Sequence, residues 1–141
     1  MTQDPNYRLA EVAPIFAVTD LARARDYCVN ALMFEVSFEW ADAPDEPIRY
    51  AILRQGNCQL HLSESPTAPT SLAYFFVDNV KGYHDAVMAR GAELSEPLRD
   101  HPWEMREFEA VDPDGNRLVF GEHLSRIAEA RPEKDAGAKS S

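Results

Sequence analysis

PIFAVTDLARARDYCVNAL, residues 14–32, is a short apolar run followed by a helical pattern, and LAYFFVDNVKGYHDAVMARG, residues 72–91, repeats that order. In the first stretch PIFAVT is strand-like, and Leu21, Ala24, Cys28, Ala31 and Leu32 fall on one helical face. Thr19 or Asp20 supplies the short side-chain oxygen that caps the first turn of such a helix. In the second, LAYFFV is the strand and Asn79 the cap; Val80, Tyr83, Val87 and Met88 point inward, and Gly91 is the left-handed stop. Asp20 and Leu21 correspond to Asn79 and Val80 at an offset of 59 residues, with no gap between the two helices.

Three strand-like runs follow each helix. After the first come FEVSFEW, IRYAILR and CQLHLSE, separated by the acidic loop ADAPDEP and the turn QGN. After the second come AELSEPL, REFEAV and RLVFGE, the last two joined by DPDG, whose residues suit the backbone angles of a tight turn. The pattern predicts a βαβββ unit written twice in an α+β fold. Residues 12–124 form a single domain, with module one at 12–63 and module two at 71–124, joined by the polar ESPTAPTS. Residues 1–11 are an N-terminal arm, and the polar tail 125–141 is expected to be disordered beyond a short helical start at RIAEA.

A chain of 141 residues, 45% of them hydrophobic, buries an ordinary single-domain core. No run approaches the ~20 apolar residues needed to cross a bilayer, and MTQDPNYRLAEV lacks the basic and apolar regions of a secretory signal. The expectation is a soluble, cytoplasmic protein. Net charge is −10, and residues 12–124 hold 9 Lys and Arg against 19 Asp and Glu. That balance argues against nucleic acid, which needs a basic face, and suits a cationic small molecule, although an acidic surface also serves solubility alone. Cys28 and Cys58 lack CxxC spacing and are read as reduced and structural.

PIFAVTDLARARDYCVNALMFEV (14–36), LAYFFVDNV (72–80) and HPWEMREFEAVDPDGNRLVF (101–120) resemble the vicinal oxygen chelate superfamily. That superfamily includes glyoxalase I, extradiol dioxygenases and fosfomycin-resistance proteins, and the resemblance is closest to its bleomycin-resistance proteins. It covers residues 12–124 and implies a glyoxalase/bleomycin-resistance fold, in which the two modules make a cupped mixed β-sheet with helices outside. It also implies a homodimer with grooves between subunits. Pro14 matches the proline that ends an exchanged N-terminal arm, although a proline also marks a strand end for purely local reasons.

Metal-using members place one ligand on each of four strands, and the resemblance carries those positions to Ala13, His61, Leu72 and Val119. Three of these lack a donor atom, and a catalytic transition metal needs about three protein ligands. The expectation is therefore no metal and no cofactor. Glu122 alternates to the face opposite Val119, His123 ends the strand, and an adventitious site from His61, Glu122 or His101 is the competing reading. His61 either meets a ligand or is satisfied by a neighbouring strand, and His84 is expected to be exposed.

With Val119 facing the cup, alternation adds Gln59, His61, Ser63, Leu72, Tyr74, Phe76, Arg117 and Gly121. Phe108 and Ala110 are expected under the helices, which turns Glu107 and Glu109 the other way, into the cup. Phe38, Tyr74 and Trp103 match groove aromatics of the drug-binding members, and Ser63 a groove serine. Trp103 follows Pro102 in the loop LRDHPWEM, where a large ring has little folding reason to sit. The ligand-binding candidates are thus Phe38, His61, Ser63, Tyr74, Trp103, Glu107 and Glu109, with no catalytic residue. The competing reading makes the aromatics ordinary packing and the glutamates a solvated face. Glu104 stands where those members have a glycine, His61 replaces an apolar residue, and ADAPDEP is longer and acidic, which points to an altered ligand.

The leading function is a metal-free homodimer that sequesters a bleomycin-type glycopeptide antibiotic, a cationic and aromatic ligand, and so confers antibiotic resistance without chemistry. No nucleophile–base motif, phosphate loop or cofactor fingerprint is present in the sequence. The alternative is a metal-dependent enzyme of the superfamily, a lyase, isomerase or dioxygenase with relocated ligands.

Overall fold

The computed structural model describes residues 6–130. Its first module runs β1 (Ile15–Val18), α1 (Leu21–Asn30), β2 (Glu35–Ala41), β3 (Ile48–Gln55) and β4 (Cys58–Glu64). The second runs β5 (Leu72–Phe76), α2 (Val80–Ala89), β6 (Leu94–His101), β7 (Met105–Val111) and β8 (Arg117–His123), and α3 (Leu124–Ala130) follows. Each module forms a four-stranded mixed sheet, ordered β1-β4-β3-β2 and β5-β8-β7-β6. In each the first strand pairs parallel to the last, and the other pairings are antiparallel. The expected tail from 131 onward lies outside the described residues; α3 covers the helical start, anchored by buried Ile127.

Local chemistry sets the helix starts as the sequence predicts. Asp20 caps α1 by accepting from the Arg23 amide at 3.1 Å, and Asn79, with φ +63°, caps α2 by accepting from the Gly82 amide at 3.2 Å. A second carboxylate serves each helix from the sheet beneath it. Glu64 Oε2 accepts from the Leu21 amide at 3.0 Å, and Glu122 Oε1 accepts from the Val80 amide at 2.9 Å. Each satisfies a first-turn donor that the helix itself cannot. Glu122, turned away from Val119 as alternation requires, is thus the buried anchor of α2.

The inward faces of both helices merge with one face of each sheet in a single core containing Phe16, Val18, Leu21, Leu32, Leu53, Leu62, Val80, Val87, Phe108 and Phe120. Met88, expected inward, is 45% exposed, and His84, expected exposed, lies edge-on to Phe108 at 5.2 Å between ring centroids. At 100° per residue Met88 sits roughly 80° from Val80 on the helix wheel, whereas His84 sits only about 40° away. His84 therefore takes the covered place.

DPDGN does more than turn the chain. Asp112 Oδ1 accepts from the amides of Asp114 and Asn116 at 2.9 and 2.8 Å, and Gly115 takes φ +89°. This holds fully buried Asn116 so that its side-chain amide donates to the Ala17 carbonyl at 3.2 Å and accepts from the Ser71 amide at 2.8 Å. Thr19 Oγ1 donates to Asp114 Oδ1 at 2.6 Å. The turn of module two is thus stapled to the first strand of module one.

Strand β6 continues to His101, three residues beyond the AELSEPL run, so the expected loop shrinks to a turn at 102–104. Pro97 is tolerated because β6 is an edge strand and the residue lies at a register shift between Glu96 and Arg99. Among the described residues no helix is long and apolar enough to cross a membrane.

Candidate binding grooves

Each sheet has one face in the core and one face open. On the first, strand alternation brings Phe38, Trp40, Tyr50, His61 and Ser63 to the open side, through the cross-strand pairs Phe38–Ile52–His61 and Trp40–Tyr50–Ser63. A groove of about 490 Å³ is lined there by Phe38, Trp40, Asp42, Arg49, Tyr50, Ser63 and Glu64. Phe38 and Trp40 remain 49% and 48% exposed, so neither is a core residue. Arg49 pairs with Asp42 at 3.2 Å, giving this groove a charge of each sign at its rim.

Both ring nitrogens of His61 have side-chain partners. Its Nδ1 lies 2.6 Å from the Tyr50 hydroxyl and its Nε2 3.4 Å from Gln59 Oε1, which fits a tautomer with the proton on Nε2. The Tyr50 ring also stands edge-on to the imidazole at 5.6 Å.

On the second sheet Tyr74, Phe76, Glu107, Glu109 and Val119 share the open face, and Trp103 and His101 close it at one end. A groove of about 240 Å³ is lined by Glu96, Arg99, His101, Trp103, Glu107, Phe108, Glu109 and Val119. Glu107 organises it. Although 91% buried, its Oε2 accepts from the Tyr74 hydroxyl at 2.6 Å and from Trp103 Nε1 at 3.1 Å, while Oε1 lies 3.7 Å from His101 Nε2. Burial and the neighbouring carboxylate both push the Tyr74 hydroxyl well above its usual range, so it stays a neutral donor. Glu109 accepts from Ser95 Oγ at 2.7 Å and pairs with Arg117 at 3.4 Å.

The seven candidates therefore fall into two sets. Phe38, His61 and Ser63 belong to the first sheet, and Tyr74, Trp103, Glu107 and Glu109 to the second; the two grooves share no lining residue. Trp40, Tyr50 and His101 join them, as does a role for Gly121. Trp40 was legible as the residue two beyond Phe38 on the same strand. Gly121, expected on the open face, lies under the Tyr74 ring, and a Cβ there would collide with the Tyr74 hydroxyl and stand 3.1 Å from Glu107 Cγ. Nothing in its residue type announces that contact.

The chain belongs to the Glyoxalase/Bleomycin resistance protein/Dioxygenase superfamily, whose model matches residues 8–120. Among solved structures it is similar to TioX from Micromonospora sp. ML1, at 23% identity, covering 82% of this chain and 99% of that one with a TM-score of 0.71. It is also similar to the bleomycin-binding protein of bleomycin-producing Streptomyces verticillus complexed with copper(II)-bleomycin, at 21% identity, 81% and 96% coverage and a TM-score of 0.67. A glyoxalase-related enzyme from Clostridium phytofermentans matches at 18% identity, 85% and 99% coverage and a TM-score of 0.71. At these identities the likeness is one of fold. Comparison with the curated proteins gives no match.

The residues present do not fit the metal that enzymes of this superfamily hold. Ala13, Leu72 and Val119 carry no donor at three of the four positions, and both nitrogens of His61, the fourth, face side-chain partners. Among the described residues no group of three His, Cys, Asp or Glu is arranged to hold an ion.

Proposed function

We propose that this protein is a cytoplasmic, homodimeric binding protein for a flat, cationic small molecule of the bleomycin type, which it sequesters unmodified and so confers resistance. The observation that carries the reading is Trp103: 60% exposed, yet held in one orientation by a buried carboxylate at the end of an acidic groove. A tryptophan present for packing would be covered, and one without function would not be pinned. Stacking or cation–π contact on each desolvated ring contributes on the order of 0.5–2 kcal/mol. The fold shared with a protein solved in complex with copper(II)-bleomycin supports the class of ligand.

Dimerisation is supported by the apolar side chains exposed on both open faces. Ile15, Phe38 and Trp40 on one open face, and Leu72, Tyr74, Phe76 and Trp103 on the other, are all more than 40% exposed, a large apolar area for a lone chain. Two-fold pairing that sets the first sheet of one subunit against the second sheet of its partner covers both faces twice and unites Phe38 and Ser63 with Trp103 and Glu107. Tyr7, Leu9 and Val12, exposed by 75%, 91% and 91%, suit an arm that lies on the partner.

The test is calorimetric titration with bleomycin at tens of micromolar, alongside sedimentation. Heat at one ligand per groove and a dimeric mass support the reading; a monomer, or a dimer that gives no heat, rejects the corresponding part. Mixed dimers of Phe38→Ala and Trp103→Ala chains have one intact groove and one doubly altered groove if grooves are shared, and should recover half the binding sites.

A further inference from the structure

We infer that His101, which the binding reading above does not use, is the positioning residue that fixes Trp103 as a stacking platform, and that its charge sets the platform's preference for cationic rings. The inference rests on that reading for its ligand. The two rings lie 4.4 Å apart at 20°, a stacked pair. Both turn a nitrogen edge toward Glu107, the indole to Oε2 and the imidazole to Oε1, so one carboxylate aligns the pair. Side-chain exposure is 11% for His101, while Trp103 is 60% exposed. The imidazole is therefore the inner plate and the indole the outer one, with one indole face covered and the other free for a ligand.

The groups around His101 show what its charge acts on. Its own strand β6 carries Glu96, Arg99 and Asp100, and Asp100 pairs with Arg106 of β7 at 2.7 Å. Strand β7 also presents Glu107 and Glu109; β5 presents Tyr74, tied to Glu107; and β8 presents His123 beyond Met105 in the same cross-strand row. Glu107 is the nearest counter-charge, and the indole face is the nearest thing that an imidazolium alters. A cationic ring on the outer face is drawn by the negative face of the indole. A second cation beneath the same indole opposes that attraction, and a neutral imidazole does not. A neutral flat ring, held by dispersion and area burial, is indifferent to the difference.

The experiment uses full-length protein carrying Trp40→Phe, which leaves Trp103 as the single tryptophan. Its emission is followed from pH 8 to pH 5, and binding of 1-methylquinolinium and of its neutral counterpart 1-methylnaphthalene is measured at both ends. Expected is quenching of Trp103 as pH falls, with affinity for the cation dropping about three- to ten-fold and affinity for the neutral ring unchanged. His101→Phe should keep the stack and the binding but abolish both pH effects. His101→Ala should weaken both rings at both pH values. A pH effect that survives in His101→Phe, an unquenched Trp103, or wild-type binding by His101→Ala overturns the inference. If neither ring binds at any pH while the emission titration behaves as stated, the ring pair stands and the small-molecule reading fails.

Discussion

Gly121→Ala is the sharpest probe of how the second groove is built. The added methyl group would strike the Tyr74 hydroxyl, stand 2.8 Å from its Cζ and 3.1 Å from Glu107 Cγ. Glu107 can shift at its flexible stem, but Tyr74 must swing off the sheet and surrender its hydrogen bond to the carboxylate. A hydrogen bond to a charged group is worth about 1.5–3 kcal/mol. Tyr74 is 41% exposed, so water replaces part of the loss and the lower half of that range applies. Alanine for glycine in a strand returns about 0.4–1 kcal/mol by restricting the unfolded chain. The net cost is about 1 kcal/mol, a fall in Tm of about 3–6 °C. Urea unfolding should show it, and in a Trp40→Phe background Trp103 emission should shift as its partner Glu107 loses Tyr74. The decisive control is the same substitution in a Tyr74→Thr chain, where the ring is gone and Gly121→Ala should be neutral or slightly stabilising. Equal destabilisation in both backgrounds would refute the contact as the cause.

Glu104 sits in the left-handed region at φ +69°, fixed by hydrogen bonds of its amide to the His101 carbonyl and of its carbonyl from the Leu124 amide, both 3.0 Å; Glu104→Gly should therefore raise unfolding free energy by about 0.5–1 kcal/mol in chemical denaturation. Burial pushes the Cys28 thiol up to about 12, so at pH 8 a disulfide-exchange reagent should label half-exposed Cys58 within minutes and Cys28 only after denaturant is added. The Arg106 guanidinium holds the Asp100 carboxyl below its usual range, so the pair stabilises the fold above the unfolded carboxylate value of about 3.9 and this is lost as pH falls through the lower folded value. Wild type and Asp100→Asn should thus differ at pH 6 in thermal melts and converge in strong acid.

The repeat was legible because its signals are local: a short polar cap, a helical stripe, a glycine stop and a turn sequence each fix backbone geometry within a few residues. Asp20, Asn79, Gly91 and Gly115 all act where the sequence puts them. Alternation likewise carried the open faces, since a strand that buries Phe108 and Ala110 must turn Glu107 and Glu109 away. What stayed hidden depends on contacts between strands far apart in sequence. No local pattern shows that Tyr74 reaches across Gly121 to Glu107, 33 residues away, or that His101 lies beneath Trp103. Met88 and His84 went astray for a different reason: hydrophobicity ranked them in one order, and the helix angle placed them in the other.

The two modules solve one problem in different ways. Each open face carries an ionisable side chain that must be kept from seeking its own partner, His61 on the first sheet and Glu107 on the second. In both a tyrosine hydroxyl stands 2.6 Å away, Tyr50 in one case and Tyr74 in the other. Because the hydroxyl can donate to a neutral imidazole nitrogen or to a carboxylate, the same residue type satisfies either group. The consequence for ligand recognition is directional. With the Nδ1 acceptor of His61 and the Oε2 acceptor of Glu107 met by tyrosine hydroxyls from within the sheet, both residues orient the rings around them, and on the proposed binding role contact with a ligand is left to the exposed faces of Phe38, Trp40 and Trp103. A ligand that recognised these surfaces by hydrogen bonds to His61 or Glu107 would have to displace a tyrosine first, whereas a flat ring meets no such competition.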